Sequence, residues 1–309
     1  MLYILIRHDK FIMSNCGCCD PGRADHKKLN LLVTQADKRY GCHVGLQSTL
    51  CGTLQSIPDC KCLQCFLGAK YKYNCRTLTS ADKRKTAQYC ADNDKTFYVH
   101  CPYVANLSSD NPEYRDKSFD VVSKSLDQLK DLPGACVLHI GAKGTIENVG
   151  EYVNQLSNLG YLERKQHDRM PYPLLLEVAA GQGTSLGKTW EEMRHLYESI
   201  DKTNVGLCID TQHVFASGMC DFEDHESVVK MFDHSDWISR KGVSMFHIND
   251  SDRPFASRVD RHAPLKQGHI WSVNDESLRS LVDICTDMNI DMIAETKDHE
   301  NDFAVLAQI

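Results

Sequence analysis

A chain of 309 residues, 42% of them apolar, is long enough for one large domain or two ordinary ones, and its net charge of −7 excludes a generic basic nucleic-acid coat protein. Any nucleic-acid partner would have to be met by a local patch or through bound metal. The opening MLYILIRHDK is too short in apolar residues for a signal sequence, and no apolar run reaches membrane-spanning length, so the expectation is a soluble intracellular protein without a membrane partner.

Residues 1–39 do not read as a repeating strand–helix unit. Asn15 to Gly22 is turn chemistry carrying Cys16, Cys18 and Cys19, and Arg23 to Arg39 is polar apart from Leu29 to Val33. This stretch is read as a short N-terminal extension. The 15 cysteines are unevenly spread, eleven of them at or before Cys101. An odd count without a leader argues against a secreted disulfide framework and for reduced thiols acting as small hydrophobes. Cys60, Cys62 and Cys65 are read the same way, with Cys60 and Cys62 on one face of a strand by the two-residue period.

From residue 40 a rhythm sets in and runs to residue 309. Apolar, β-branched runs recur at Tyr40–Val44, Cys60–Leu67, Thr96–His100, Cys136–Ile140, Leu174–Val178, Val205–Asp210, Val243–Ile248 and Asp291–Thr296. Helical segments such as Ser118–Leu132, Thr189–Ser199 and Asn274–Met288 lie between them, and Leu46–Ile57 is a weak one. Strands alternating with helices imply βαβ units and a parallel sheet, and eight repeats favour a closed (β/α)₈ TIM barrel over an open sheet.

The strand ends carry the chemistry. The third ends at His100, the fourth delivers His139 and the fifth Glu177. The sixth ends at Asp210, with His213 close behind. The seventh delivers His247, followed in its loop by Asp260 and His262, and the eighth delivers Glu295. In a barrel the C-terminal strand ends face one mouth. Each residue has a plain structural explanation alone: Asp210 could cap a helix, and Glu177 or Glu295 could join a salt bridge. Nine coincidences on six successive units are improbable. Imidazole with carboxylate is the common non-thiolate ligand chemistry of zinc, and nine ligands exceed the roughly four that one zinc needs. Two or three metals are implied. Four carboxylates alone would repel a phosphate, whereas three divalent ions would leave the mouth at about +2, suited to metal-assisted hydrolysis of a phosphate ester.

The stretches LEVAAGQGTSLG (176–187), GLCIDTQHVFASG (206–218), FHINDSDRPFASRVDRH (246–262) and AET (294–296), with weaker GCHVG (41–45), VHCPYVANL (99–107) and LHIGA (138–142), carry a resemblance. Across about residues 40–309 the chain resembles the endonuclease IV family of apurinic/apyrimidinic (AP) DNA-repair endonucleases. The resemblance implies a xylose-isomerase-like TIM barrel with three zinc ions. His100, His139 and Glu177 would hold one, Glu177, Asp210, His247 and Glu295 a second, and His213, Asp260 and His262 the third, with Glu177 bridging and catalytic. It implies cleavage of the phosphodiester 5′ to an abasic site, leaving a 3′-hydroxyl and a 5′-deoxyribose phosphate, and trimming of blocked 3′ ends. The partner would be double-stranded DNA containing abasic sites, bent with the abasic nucleotide flipped out, and the protein a monomer. Tyr103 matches a family aromatic beside the DNA. The loop Gly68 to Tyr73 departs from the family pattern, although Lys70, Lys72 and Arg76 are available for phosphates, as is Arg261 between two of the ligands. The extension is outside the family pattern. The implied location is the cytoplasm or nucleus, or a virion were the source a DNA virus. Two rivals stand beside this reading: a sugar isomerase of the same architecture, which would bind two hard ions mainly through carboxylates, and a DNA-lesion binder without catalysis.

Overall fold

The computed structural model describes residues 38–309 except 58, 164–169, 202–203, 224 and 239–241. The extension up to residue 37, with Cys16, Cys18 and Cys19, lies outside the described residues. From Arg39 to Ile309 the chain forms one unit. Its barrel strands are β1 (Tyr40–His43), β2 (Cys62–Cys65), β3 (Thr96–His100), β4 (Gly134–His139), β5 (Leu174–Glu177), β6 (Val205–Asp210), β7 (Val243–His247) and β10 (Asp291–Ala294). They are parallel and close in the order β1-β10-β7-β6-β5-β4-β3-β2. A two-stranded antiparallel ladder, β8 (Asp250–Ser251) with β9 (His262–Ala263), sits in the loop after β7.

Helices α1 (Leu50–Gln55), α2 (Ser80–Asn93), α3 (Pro112–Leu129), α4 (Ile146–Asn158), α5 (Trp190–Ser199), α6 (Thr211–Ser217), α7 (His225–Ile238), α8 (Glu276–Asp287) and α9 (His299–Gln308) fill the connections. Caps set many of their starts: the hydroxyls of Thr49, Thr79, Thr145 and Thr189 accept backbone N–H bonds from α1, α2, α4 and α5. Helix α3 begins at Pro112, well before the Ser118 expected from periodicity. Its first turn is polar and so hidden from a hydrophobic pattern, but Pro112 at its start and the Asn111 carboxamide, 2.9 Å from the Glu113 amide, launch it there.

Two cores follow from the two-residue alternation of each strand. Outward-facing residues such as Leu63, Phe97, Leu174 and Leu176 pack against the helices, while Cys62, Tyr98, Val137, Leu175, Cys208 and Met245 fill the barrel. Cys60 precedes the short β2, so the strand period does not govern it; Cys62 lies inside the barrel and Cys65 in the outer core. The twelve cysteines among the described residues are thiols outside any disulfide, and all but Cys75 are buried. At the N-terminal end of the barrel the Arg39 guanidinium donates to Asp291 at 2.5 Å and to the Thr96 hydroxyl at 3.0 Å, and the Tyr98 hydroxyl donates to the other Asp291 oxygen at 2.9 Å. This buried network plugs the end opposite the site. No described helix is long and apolar enough to cross a membrane.

Candidate metal centre

Register brings the donors together. His139 on β4 lies opposite Glu177 on β5, and Asp210 on β6 lies opposite His247 on β7, so neighbouring strands end on ligand-type side chains at one level. Gly141, just past β4, sits at φ +106, and a Cβ there would lie 2.2 Å from the Asn106 carboxamide oxygen, so the turn beyond His139 needs glycine. Three donor groups result, each with ligand atoms within 4.8 Å of one another: His100, His139 and Glu177; Glu177, Asp210, His247 and Glu295; and Asp210, His213 and His262.

Glu177 joins the first two groups. Its Oε2 is 3.4 Å from both His100 Nε2 and His139 Nε2, and its Oε1 is 2.9 Å from His247 Nδ1. Asp210 joins the second and third. One oxygen accepts the His213 amide at 3.0 Å and caps α6, and the other lies 3.5 Å from His262 Nε2. Capping and ligand geometry coexist in one side chain. Asp260, expected with His213 and His262, is half-exposed but reaches both, its two oxygens lying 3.6 Å from His213 Nε2 and 3.5 Å from His262 Nε2.

The loop carrying Asp260 and His262 is built around Asp250. Its buried carboxylate accepts backbone N–H bonds from Ser251, Ile270 and Lys266 at 2.7, 2.8 and 3.1 Å, tying both ends of the loop to one point. Gln212 holds the Val259 carbonyl at 2.9 Å, and Gln182 accepts the Asp260 amide at 2.9 Å. Ala256 and Arg258 adopt φ +56 in this loop, a left-handed conformation that costs energy without glycine and is sustained by amide bonds to the Phe215 and Ala216 carbonyls.

The nitrogens turned away from the centre are occupied. His100 Nδ1 lies 2.6 Å from the Cys101 carbonyl and His213 Nδ1 2.9 Å from the Val178 carbonyl, which leaves Nε2 of each aimed inward. Glu177 Oε2, His213 Nε2 and His262 Nε2 are buried atoms with no hydrogen-bond partner. Buried polar atoms are costly to leave unpaired, and three of them among these mixed imidazole–carboxylate groups fit divalent metal such as zinc.

Acid and base shift each other. Burial would raise the Glu177 carboxyl, but the imidazoles of His139, His247 and His100 hold it well below the usual range. Glu295 is likewise lowered against burial, chiefly by His247, and Asp260 by His213 and His262. Burial would lower His213 and His247, yet nearby acids hold both well above the usual range: Asp210 and Asp260 for the first, the Cys208 thiol with Glu295 and Glu177 for the second. His139 is pushed down, chiefly by burial.

A profile describing the xylose isomerase-like TIM barrel matches residues 66–304. The chain is 33% identical over 213 residues to a protein of Chloroflexus aurantiacus named probable endonuclease 4, an alignment covering 66% of this chain and 70% of that one. The chain belongs to the endonuclease IV family of AP endonucleases. Another family relative, apurinic-apyrimidinic endonuclease 1 of Plasmodium falciparum, is 28% identical over 254 residues, 78% of this chain but only 40% of that longer protein. The crystal structure of endonuclease IV from Thermus thermophilus superposes with a TM-score of 0.72 at 25% identity, covering 87% of this chain and 98% of that chain.

Around the centre, Tyr103 is half-exposed, its ring 5.3 Å from His100 and 5.2 Å from Phe66. The loop after β2 docks beside it: the Tyr103 amide donates to the Lys70 carbonyl at 2.8 Å, and Tyr71 lies 5.8 Å from the Tyr103 ring. Lys70 and Lys72 are exposed on that rim, and Arg261 is exposed beside Asp260. Arg76 is engaged by the carbonyls of Gln47 and Ser48, so its guanidinium is committed to the loop after β1. Sequence reasoning missed His43, Gln64 and Asn249. His43 ends β1 as His100 ends β3, so the strand-end rule applied to the first strand would have found it. Gln64 is a lone polar residue in an apolar strand, and Asn249, whose amide donates to Asp210 at 2.8 Å, leaves no pattern.

Proposed function

We propose that this enzyme is a zinc-dependent AP endonuclease of base excision repair, hydrolysing the phosphodiester 5′ to an abasic site to leave a 3′-hydroxyl and a 5′-deoxyribose phosphate, and trimming blocked 3′ ends. The observation that carries the reading is that buried atoms without a hydrogen-bond partner, Glu177 Oε2, His213 Nε2 and His262 Nε2, belong to the three donor groups at the barrel mouth. His100, His139 and Glu177 would hold one ion; Glu177, Asp210, His247 and Glu295 a second; His213, Asp260 and His262 the third. Zinc bound there supplies Lewis-acid stabilisation of the charge that develops in a phosphodiester displacement.

The remaining roles belong to the chain. Glu177, buried and held from both sides by imidazoles, keeps two donor groups at fixed separation. Tyr103, Phe66 and Tyr71 offer a ring-lined wall against which a flipped sugar without a base meets little resistance. Lys70, Lys72 and Arg261 supply positive charge at the rim for backbone phosphates, which an acidic protein needs locally. The substrate this arrangement suits is double-stranded DNA with an abasic site, met by a monomer. A duplex with one abasic site tests the reading: incision at its 5′ side with a 3′-hydroxyl end is expected. Binding without incision would leave a lesion binder, and no action on DNA with turnover of a sugar would leave an isomerase.

A further inference from the structure

Gln64 is fully buried on β2, a strand that carries no proposed ligand of its own, yet its carboxamide reaches three imidazole or carboxylate groups. Its Nε2 donates to Glu295 Oε1 at 2.7 Å and lies 2.9 Å from His43 Nδ1, while its Oε1 lies 2.9 Å from His247 Nε2. Only one orientation of the amide satisfies this set. Reversing it would set Oε1 against the Glu295 carboxylate, oxygen facing oxygen. Glu295 therefore fixes the amide, and the amide fixes the imidazoles. Oε1 has no proton to give, so His247 must carry a proton on Nε2 and donate it. The other nitrogen of His247, Nδ1, lies 2.9 Å from Glu177 and 3.3 Å from Glu295, inside the second donor group. Nε2 of Gln64 has two protons and no lone pair, so His43 must accept on Nδ1 and hold its own proton on Nε2.

We propose that Gln64 is a positioning residue for the corner of the centre formed by His247 and Glu295: its carboxamide selects Nδ1 of His247 as the metal-facing nitrogen and holds the Glu295 carboxylate beside it. Gln64 is not a ligand in this assignment. It acts through two of them, as hydrogen-bonded outer groups do when they orient metal-binding imidazoles and carboxylates. His43 completes the chain by occupying the second proton of the amide, so that the carboxamide cannot rotate without losing three contacts.

The inference rests on the metal reading above, and the test keeps the two apart. Zinc binding to full-length wild-type protein, Gln64→Met and Gln64→Glu is measured by competition with a chromophoric chelator at pH 6, 7 and 8, alongside thermal unfolding of the metal-free proteins. Gln64→Met keeps the bulk of the side chain and removes the donor and the acceptor. It should weaken one zinc equivalent by about 10- to 100-fold and leave the others unchanged. Gln64→Glu keeps an acceptor for His247 but places a carboxylate against Glu295. The two acids must share a proton, so its affinity for the same equivalent should fall more steeply towards pH 6 than that of wild type. Cobalt-substituted Gln64→Met should show an altered visible spectrum for that equivalent. Wild-type binding of zinc with both variants equal to it at every pH would overturn the role of Gln64 and leave the metal reading standing. Metal-free variants that no longer unfold cooperatively would overturn it too, by making Gln64 a residue of the barrel core. A wild type that binds no zinc would overturn the metal reading and this role with it.

Discussion

Asp210 uses its two oxygens for two tasks, and that division explains why single residues at this mouth are easy to misjudge. One oxygen caps α6 through the His213 amide, the other faces His262. Glu177 is divided in the same way between the His100–His139 pair and His247. Glu177→Gln keeps the shape but removes a charge that two donor groups share. Turnover on an abasic duplex should fall by about 10³-fold while binding of the duplex changes little, because the loss falls on the charge-stabilised transition state. Near-normal cleavage with a full metal content would exclude the bridging role. Proton linkage gives a second residue-level test. In the metal-free protein the raised His213 and His247 hold protons at neutral pH. Metal must displace them, so zinc binding should release protons and tighten as pH rises from 5.5 towards the raised imidazole range. Calorimetry in buffers of different ionisation enthalpy reads the protons directly, and an affinity flat over that interval would contradict the assignment.

At the scale of elements, the mouth depends on one irregular segment. The loop from Asp250 to Trp271 has no strand or helix long enough to stiffen it, and the Asp250 carboxylate supplies the missing order through its backbone N–H bonds. Asp250→Ala should therefore cost bound metal at the Asp260–His262 side before it costs the barrel: about one zinc equivalent lost by elemental analysis, with the barrel's circular dichroism retained. Full metal content in that variant would show that the loop holds itself. The opposite end of the barrel calls for the reverse outcome. Asp291→Ala leaves the buried Arg39 guanidinium without its main partner, and about 3–5 kcal/mol of stability should be lost in denaturant unfolding, with metal content per folded molecule unchanged. These elements differ in how far the sequence displayed them. The strands were legible because β-branched runs ending in His, Asp or Glu recur at barrel spacing. The start of α3 was not, because its first turn is polar. The anchoring by Asp250, Gln64 and Asn249 was not, because a single buried polar residue has no period and its partners are up to 231 residues away, as Glu295 is from Gln64.

For the whole molecule, the acidic net charge of −7 and the proposed DNA substrate would be reconciled by local charge at the mouth. Duplex binding should weaken linearly with log salt, and replacing Lys70 and Lys72 with Ala should reduce the slope by about one to two units, since each phosphate contact contributes about 0.9. An unchanged slope would place the DNA on another part of the rim. The limit of the catalytic unit is a proposal of the same scale. All nine proposed ligands lie beyond the extension, and Arg39 belongs to the barrel's plug. A protein lacking residues 1–38 should retain incision, whereas one that also lacks Arg39 should unfold more readily. Loss of incision by the first truncation, with the barrel intact, would make the extension part of the active machinery.

In the proposed reading the imidazole–carboxylate mouth cuts DNA through bound metal. The most direct test is incision of a duplex bearing one abasic site by protein as purified, by protein stripped with a strong chelator to a metal content verified by elemental analysis, and by stripped protein resupplied with zinc. A single cut 5′ to the abasic site is expected before stripping, none after it, and recovery with zinc. Unaltered incision by protein shown to hold no metal, or no incision by protein holding its full complement, would contradict that reading.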